Sequence, residues 1–384
     1  TGADWRPSKR GYPKIGSLPM KIVEISYSLS SGGAERFVVD LCNELTKNSR
    51  NEVYLLTTDN DKISKNVHYK NDLSPKIKYI NIGAKSGLSL KSFIGIYNEI
   101  KKIKPDIVHA HCRLPLLWLP ALFNSTPKYI HTLHSLAPAC LEFPWQKFID
   151  KWFYKNKVLP ITISKACDKS YYDLYRLSNS VCITNGRKKL SKTALYDSVK
   201  KEIENFKSSA NEPVFIHVAR CAKAKNQALL FKTFSRLKTE KIPFQLLIIG
   251  AGFESSEFMN YDDGKQIHIL GEKKNIGDYM ICSDFFVLSS SYEGLPLTLL
   301  EAMSIGCIPI CTPAGGITDV LQNGINGFIA SSFEENDFYS AVKQALQNKG
   351  NINTSQIIDE YKNKYSMEIC SNKYFEVFNN ILNK

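Results

Sequence analysis

The feature that most constrains the fold is the alternation of short apolar runs with longer amphipathic stretches along most of the 384-residue chain. Short runs rich in Ile, Val and Phe are typical of buried strands, and the stretches between them are typical of crossover helices. The alternation therefore predicts an α/β protein with parallel sheets. The predicted strands form two series: residues 21–26, 52–58, 77–82, 106–111, 128–134, 158–164 and 181–185, then residues 213–219, 245–250, 267–270, 284–290, 307–312 and 327–330.

Two series of strands predict two Rossmann-like, doubly wound domains facing across a cleft, each long enough to bury its own core. Ligands of such sheets bind outside the carboxyl ends of the strands, so we expect the ligand in that cleft. Residues 1–19 lack the apolar segment of a secretory signal, and we interpret them as extraneous or disordered. The expected domains cover residues 20–190 and 213–365, with a linker over 191–212 and a C-terminal helix over 366–384 that can pack back on the N-terminal domain.

The composition, with 43% apolar residues, is typical of a soluble globular protein. No segment approaches the ~20 consecutive apolar residues that a membrane span needs. The ten cysteines include no Cys-x-x-Cys pair, which favours reduced thiols in a cytoplasmic protein over a disulfide framework or a zinc site.

The charge is distributed unevenly. Residues 1–200 hold 32 Lys and Arg against 16 Asp and Glu, a balance of +16, whereas the remaining residues have a balance of −3. Such asymmetry suggests that one half of the chain faces a polyanion, with plain solubility as the alternative. The sequence has no nucleic-acid-binding motif. We therefore favour peripheral contact with an anionic membrane and expect no nucleic-acid partner.

Two carboxylates surround the start of a predicted helix after the strand 284–290. Glu293 falls in the turn, Pro296 suits a first helical position because it has no N–H to leave unpaired, and Glu301 lies further along the helix. A helix N-terminus attracts phosphate, and the carboxylates can meet hydroxyls, which together favour a nucleotide sugar. The spacing by itself occurs five times in the chain, so an ordinary strand–turn–helix with surface carboxylates is the alternative.

Three other places offer groups for such a ligand. Gly32 and Gly33 follow the first strand and allow backbone N–H groups to approach a ligand closely. Arg220 and Lys225, with Lys223 as a spare candidate, follow the first strand of the second series and can meet charge that develops on a leaving phosphate. Histidines at 109, 111, 131 and 134 cluster at two strand ends, but strand alternation does not bring all four together, so we expect no metal site.

The chain resembles family 4 glycosyltransferases. The resemblance is carried by Ser31-Gly-Gly-Ala-Glu-Arg36, by Ala219-Arg-Cys-Ala-Lys-Ala-Lys-Asn226, by Ile249-Gly-Ala-Gly252 and, most closely, by residues 267–330, so it runs in order from about Met20 to Ala330. It implies a GT-B fold with an acceptor-side N-terminal domain and a nucleotide-sugar-binding C-terminal domain. It also implies retaining transfer from a UDP- or GDP-sugar to a glycan or lipid-linked acceptor in envelope synthesis, without a metal or other cofactor.

The same resemblance implies a role for each candidate residue. Glu293 and His134 are the catalytic candidates, although Glu293 is expected to position the sugar rather than to act as a nucleophile. Glu301 is expected at the ribose. The donor sugar is assigned to His134, Glu293, Gly294, Leu295 and Pro296, and the diphosphate to Gly32, Gly33, Arg220, Lys225, Leu297 and Thr298. One departure from the family pattern is Arg187-Lys188-Lys189 after Thr184-Asn-Gly186.

Several rival interpretations remain. A nucleotide-sugar 2-epimerase and a non-catalytic sugar-binding scaffold could both share the fold. Two motifs are discounted: Asp59-Asn-Asp61 lacks the apolar strand context of a metal motif, and the glycines at 250 and 252 lack the third glycine of a dinucleotide fingerprint. Aromatic residues over 145–153, interleaved with lysines, suit either an interfacial helix or a helix packed on its own sheet, and we favour the packed helix.

Overall fold

A computed structural model describes residues 19–85, 87, 89–254 and 257–383. The chain divides into two compact units. One unit holds the described residues up to Gly186 together with those from Met367 onward, and the other unit is Arg187–Ser366.

The first unit is built on a seven-stranded, wholly parallel sheet with the strand order β3-β2-β1-β4-β5-β6-β7. The central strands are apolar on both faces because helices cover both faces of the sheet. The strands are β1 Lys21–Ser26, β2 Glu52–Asp59, β3 Lys78–Ala84, β4 Ile107–Ala110, β5 Lys128–Leu133, β6 Val158–Thr162 and β7 Val181–Cys182. The helices between them are α1 Gly33–Leu45, α2 Leu90–Ile103, α3 Trp118–Phe123, α4 Gln146–Asn156 and α5 Lys165–Tyr175.

The second unit repeats this plan with a six-stranded parallel sheet in the order β10-β9-β8-β11-β12-β13. Its strands are β8 Val214–Val218, β9 Gln245–Ile249, β10 Ile267–Gly271, β11 Phe285–Leu288, β12 Ile308–Cys311 and β13 Phe328–Ile329. Its helices are α6 Tyr196–Phe206, α7 Gln227–Thr239, α8 Ile276–Ile281, α9 Leu297–Ile305, α10 Ile317–Val320, α11 Glu335–Asn348 and α12 Thr354–Glu360. Every predicted strand therefore has a counterpart in the structure.

The last helix, α13 Met367–Leu382, belongs to the first unit. Its Tyr374 is fully buried, and the phenol oxygen lies 3.1 Å from Thr132 Oγ1 on β5. Phe37 of α1 and His109 of β4 lie beside the same ring, at centroid distances of 6.0 and 5.3 Å. The C-terminal segment thus packs on the N-terminal sheet.

The predicted boundary between the two domains differs from the structure. The predicted linker 191–212 contains α6, whose Val199 and Ile203 are buried, and it lies within the second unit, which begins at Arg187 rather than at 213. Val199 and Ile203 are an i, i+4 apolar pair, which is the pattern of an amphipathic helix. The predicted N-terminal segment 1–19 lies outside the described residues except for Pro19.

Helix α4 packs beside β6 and α5, as the packed-helix interpretation predicts, but most of its aromatic residues lie on the other face. Only Phe153 of the group is buried, because the inner face of α4 is formed by Gln146, Asp150, Phe153 and Tyr154. The outer face carries four exposed apolar side chains: Trp145, Phe148, Ile149 and Trp152.

Candidate functional site

The candidate groups of the second unit lie where its strand order reverses. β8 pairs with β9 on one side and with β11 on the other, so the loops after β8 and β11 start from neighbouring strands. Ligands of open α/β sheets bind at this kind of switch point, outside the carboxyl ends of the strands. Arg220 and Lys225 follow β8, and Glu293 follows β11, so the fold gathers these three residues at one sheet edge.

Glu293 and Lys225 form a close ion pair within this edge. Lys225 Nζ donates to Glu293 Oε1 at 2.6 Å, and Ser290 Oγ donates to the same oxygen at 2.6 Å. The Glu293 side chain is largely buried, so its carboxylate is held in one orientation by charged and neutral donors. The loops are also tied through the backbone, because Ser291 N donates to the Ala224 carbonyl at 2.9 Å.

A glycine permits the backbone of Glu293 to lie where it does. Gly315 has a φ of +51°, and a Cβ at this position would lie 1.8 Å from the carbonyl oxygen of Glu293. The adjacent Gly316 N–H donates to the carbonyl of Gly294 at 2.8 Å. The glycine pair after β12 therefore supports the Glu293–Gly294 turn from behind, which is a packing role that the sequence alone did not reveal.

The glycine pair after β9 has a similar packing role. A Cβ at Gly250 would lie 1.9 Å from the carbonyl oxygen of Ala219, and Cys221 N donates to the Ala251 carbonyl at 2.8 Å. Gly250 thus allows the loop that carries Arg220 to approach its neighbour. This contact accounts for a glycine that otherwise resembles part of a dinucleotide fingerprint.

The helix α9 opens just after the Glu293 turn and points its free N–H groups towards the same sheet edge. Pro296 has φ −70° and ψ 128°, an extended conformation, so it precedes the helix and does not form its first residue as predicted. Because proline carries no side-chain acceptor, it leaves the first N–H groups of α9, at Leu297 and Thr298, uncapped. An uncapped helix N-terminus is suited to an anion.

Glu301 lies in the second turn of α9 and is held by an arginine that the sequence analysis did not assign. Arg187 Nε donates to Glu301 Oε1 at 2.7 Å, and both side chains are largely buried. Oε2 of Glu301 is buried and accepts no hydrogen bond from the described residues. The charged arginine orients one oxygen and leaves the other for a hydroxyl donor.

Arg220 differs from Lys225 in its surroundings. It is exposed and forms no ion pair with any other residue that the structure describes, whereas its carbonyl accepts from Gln227 Nε2 at 3.0 Å. The backbone of Arg220 is thus fixed while its guanidinium remains able to pair bidentately with an anion.

In the first unit, Gly32 and Gly33 lie between β1 and α1 as predicted. Gly32 caps the helix with an extended backbone, and Gly33 is the first helical residue. A Cβ at Gly33 would meet no atom of the described chain within 4 Å, so the surface beside its backbone is open. Neither glycine has a positive φ. The Gly32 N–H already donates to the Ser30 carbonyl at 2.8 Å and the Glu35 carboxylate lies against this glycine, so only Gly33 offers an open backbone surface.

His134 follows β5 directly and joins a buried chain of polar groups. Its Nε2 lies 2.9 Å from Nδ1 of His111, and Nε2 of His111 lies 2.7 Å from Oε2 of Glu24 on β1. Phe37 of α1 packs edge-on against the His134 ring at a centroid distance of 5.2 Å. His131 points elsewhere and contacts the Tyr154 hydroxyl and the Cys112 carbonyl. The four histidines therefore do not form one cluster.

The charge states of Glu24, His111 and His134 follow from their burial and from their neighbours. Burial alone would raise the pKa of Glu24, but His109 and His111 beside it lower the pKa to about 2. Burial lowers the pKa of His111 to about 4, and it lowers the pKa of His134 well below its usual value. At neutral pH, Glu24 is therefore an anion and both histidines are neutral.

Glu24, His109 and His111 also form a group of three possible metal ligands. Their ligand atoms all lie within 4.8 Å of one another. His109 Nδ1 lies 2.9 Å from the same Glu24 oxygen that contacts His111. Asp61 of the discounted Asp-x-Asp motif instead forms an ion pair with Lys70. Two imidazoles and a carboxylate are ligand types that suit a transition metal. However, one oxygen of Glu24 already contacts both the His109 ring and the His111 ring.

The chain matches two family models. The model described as Glycosyltransferase Family 4 matches residues 31–187, and the model described as Glycosyl transferases group 1 matches residues 198–365, so the two matches span most of the chain. The chain belongs to the family 4 glycosyltransferases. The predicted resemblance and the GT-B fold class are thereby confirmed, and this glycosyltransferase acts in polysaccharide or glycoconjugate synthesis.

The chain is also similar, at low sequence identity, to individual glycosyltransferases. The N-acetylgalactosamine-N,N'-diacetylbacillosaminyl-diphospho-undecaprenol 4-alpha-N-acetylgalactosaminyltransferase of Campylobacter jejuni is 24% identical, over 88% of this glycosyltransferase and 92% of that protein. The UDP-Gal:alpha-D-GlcNAc-diphosphoundecaprenol alpha-1,3-galactosyltransferase of Escherichia coli is 27% identical, over 68% and 71%. The structure of Anabaena HepE in complex with UDP and glucose superposes with a TM-score of 0.76 at 16% identity, covering 94% of this chain and all of that one.

Within its described residues, this glycosyltransferase has no helix of the length and apolarity that a membrane span requires. All ten cysteines are free, and six of them are buried.

Proposed function

We propose that this glycosyltransferase transfers a sugar from a UDP- or GDP-sugar to a lipid-linked or glycan acceptor of envelope synthesis, with retention of anomeric configuration and without a metal ion. The observation that carries the proposal is the Lys225–Glu293–Ser290 contact directly before the uncapped N-terminus of α9. It places a cation, a carboxylate and helix N–H groups at one edge of one sheet. A donor with a diphosphate next to a hydroxylated sugar needs these three kinds of group.

The diphosphate is assigned to the helix N–H groups of Leu297 and Thr298 and to Arg220 and Lys225. Negative charge grows on the leaving phosphate as its bond to the sugar breaks. Fixed cations and helix N–H groups stabilise that charge more in the transition state than in the ground state. Two cations and a helix terminus can supply this stabilisation without a divalent ion.

The sugar and the ribose are assigned to the two carboxylates. Glu293, oriented by Lys225, accepts from sugar hydroxyls beside Gly294, Leu295 and Pro296. The free Oε2 of Glu301 accepts from a ribose hydroxyl, which would satisfy a buried acceptor. From the first unit, we assign Gly32 and Gly33 to the phosphates and His134 to the donor sugar, as the family resemblance implies.

The acceptor is proposed to lie at an anionic membrane on the cytoplasmic side. Two relatives bear names that specify diphospho-undecaprenol acceptors. In this chain, the outer face of α4 exposes Trp145, Phe148 and Trp152 by 54%, 68% and 46%, and Lys151 and Lys155 of the same helix are exposed as well. Aromatic rings among lysines suit the headgroup region of an acidic bilayer.

The direct test is incubation of the purified protein with a panel of UDP- and GDP-sugars, with and without lipid-linked acceptors. We expect one donor to be consumed with an acceptor, the same anomeric configuration in the product, and an unchanged rate in EDTA. Inverted product, or loss of turnover in EDTA that Mg²⁺ or Mn²⁺ restores, would contradict the proposal. Conversion of donor into its 2-epimer without acceptor would identify an epimerase.

Variants of the β8 loop test the assigned residues. Arg220→Ala and Lys225→Ala should each lower kcat by about 10²-fold, the scale of one preorganised electrostatic partner. Lys265→Ala is the matched control, because Lys265 is exposed and precedes β10, at the opposite edge of the same sheet. Near-wild-type rates in both loop variants would mean that the loop is ordinary solvated surface.

A further inference from the structure

Arg113 lies at the carboxyl edge of the first sheet, beside the point where the strand order reverses. It follows β4, which pairs with β1 on one side and with β5 on the other. The loops after β1 and β4 therefore leave the sheet from neighbouring strands and open a crevice between them. Ligands of open α/β sheets bind in such a crevice, so the fold places this arginine next to a ligand site of the first unit.

The guanidinium of Arg113 has no close partner. Its Nη1 lies 3.9 Å from Glu142 Oε2, which is beyond hydrogen-bond distance, and this nitrogen is buried without a hydrogen bond to any described residue. The Arg113 side chain is nevertheless 34% exposed, so a ligand can reach it. A loose ion pair at the surface contributes little stability, whereas a buried N–H group without an acceptor is costly. An anionic ligand would supply the missing acceptor.

Aromatic side chains begin beside this ion pair. Trp118, shortly after Arg113 in the chain, has its ring 6.5 Å from that of Trp145, which closely follows Glu142. Phe143 stacks on Trp145 at a centroid distance of 5.6 Å, and both of these rings are exposed. The loop after β4 and the start of α4 thus lie side by side. Their charged end is at the sheet edge, and their aromatic end continues into the outer face of α4.

An anion joined to an apolar chain matches both ends of this surface. The guanidinium fork can pair with two oxygens of a phosphate, and exposed aromatic rings can cover part of an apolar chain. In a lipid-linked acceptor, the phosphates lie between the apolar chain and the sugar that is extended. The surface has the same order, because Arg113 lies between the aromatic face of α4 and the crevice at the sheet edge.

We propose that Arg113 binds the diphosphate of a lipid-linked acceptor, with the adjoining part of the apolar chain on Phe143 and Trp145, and that Glu142 pairs with Arg113 only while this site is empty. That the bound molecule is an acceptor rests on the proposed function. The binding of a diphosphate on an apolar chain does not depend on sugar transfer. The consequence is selectivity for charged, lipid-linked acceptors over neutral glycans.

Binding can be measured by calorimetry with farnesyl diphosphate and farnesol, both below the concentration at which they form micelles. Saturating UDP fills the proposed donor site, so that the probe cannot bind at Arg220 and Lys225. The wild-type protein should bind farnesyl diphosphate at least about tenfold more tightly than farnesol, and Arg113→Ala should abolish the difference. Arg50→Ala is the matched control, because Arg50 is exposed and precedes β2 at the opposite edge of the same sheet.

Glu142→Gln separates ligand binding from a structural role. If Arg113 only formed an ion pair with Glu142, this substitution would leave the affinity for farnesyl diphosphate unchanged or lower it. We expect the affinity to rise, because the amide no longer competes for the guanidinium. Arg113→Lys keeps the charge but loses the fork, so its affinity should fall between those of the wild type and Arg113→Ala. Equal affinity of the wild type and Arg113→Ala would overturn the proposal.

In the transferase assay, Arg113→Ala should raise the KM for a lipid-linked diphosphate acceptor about tenfold or more and leave the donor KM unchanged. A raised donor KM with an unchanged acceptor KM would place Arg113 at the donor and overturn the proposal. If Arg113→Ala fails to fold, as judged by circular dichroism, Arg113→Lys and Glu142→Gln still decide the outcome. Arginine-dependent binding of farnesyl diphosphate without transfer to any acceptor would refute the proposed function and leave the diphosphate site standing.

Discussion

At the scale of single residues, the candidate site consists of charged groups that hold one another. Glu293 pairs with Lys225, and Glu301 pairs with Arg187, and in each pair the carboxylate is buried. A buried carboxylate without a partner is strongly destabilising, so each cation stabilises the fold as well as orienting an oxygen. Removing one partner is consequently expected to affect ligand binding and stability together.

The Arg187–Glu301 pair gives a sharp prediction. Arg187→Ala should raise the donor KM about tenfold or more, because Glu301 loses the charged donor that orients its free oxygen. Lys189→Ala is the matched control, since Lys189 is exposed two residues away. Steady-state kinetics with varied donor measures both. If the Arg187 and Lys189 variants had the same donor KM, the assignment of Glu301 to the ribose would be wrong.

At the scale of elements, the turns that follow the strands are shaped by glycines with different constraints. Gly315 and Gly324 both have a positive φ, of +51° and +74°. Only Gly315 faces another backbone at close range, because a Cβ at Gly324 would meet nothing within 4 Å. Comparing substitutions at the two positions therefore separates the cost of left-handed backbone strain from the cost of a steric clash.

Gly315→Ala is expected to cost clearly more stability than Gly324→Ala. Both substitutions incur about 1 kcal/mol of left-handed backbone strain, but only Gly315→Ala forces the Glu293 turn to move. Urea denaturation gives the difference in free energy of unfolding, and donor KM reports the displacement of Glu293. Equal costs in the two variants would show that the turn can move without penalty.

The proposed membrane contact is assigned to the outer face of α4. Phe148→Ser with Trp152→Ser should weaken binding to acidic vesicles at least tenfold, because two large apolar side chains no longer enter the bilayer. Phe333→Ser, which alters an exposed phenylalanine of the second unit, is the control. Wild-type binding should also weaken with salt, as screening shortens from ~10 Å at 0.1 M to ~3 Å at 1 M. Equal binding to neutral and acidic vesicles at low salt would refute the membrane assignment.

At the scale of the whole molecule, buried histidines link stability to pH. Burial lowers the pKa of His111 and of His217 to about 4, and the pKa of His131 to about 3. Between pH 7.5 and pH 5, these side chains take up protons in the unfolded chain, where their pKa is about 6.5, but not in the folded protein. The unfolded state binds more protons, so the free energy of unfolding falls as the pH falls.

Thermal unfolding should therefore have a lower midpoint at pH 5 than at pH 7.5. Each such histidine contributes a slope of up to about 1.4 kcal/mol per pH unit below its unfolded pKa. His217→Gln should reduce the slope, because it removes one buried titrating group outside the proposed site while leaving an amide for the Val287 carbonyl. A midpoint independent of pH over this range would mean that the buried histidines are protonated in the fold.

The sequence by itself determined the two parallel sheets, because buried strands and amphipathic helices leave local patterns of apolar residues that survive without any long-range contact. It also indicated the places where ligand-binding groups follow strands, since the carboxyl ends of parallel strands share an edge. The helix α6 was missed because two buried residues, Val199 and Ile203, make a weak pattern in a polar stretch.

The tertiary structure alone decided which side chains pair. Arg187 and Glu301 lie 114 residues apart, Glu24 and His111 lie 87 apart, and Gly315 approaches Glu293 from the loop after a different strand. The outward direction of Trp145, Phe148 and Trp152 likewise depends on which face of α4 meets its neighbours. Such contacts arise from the closure of long loops in the folded chain, and a local sequence pattern carries no information about a partner that is distant along the chain.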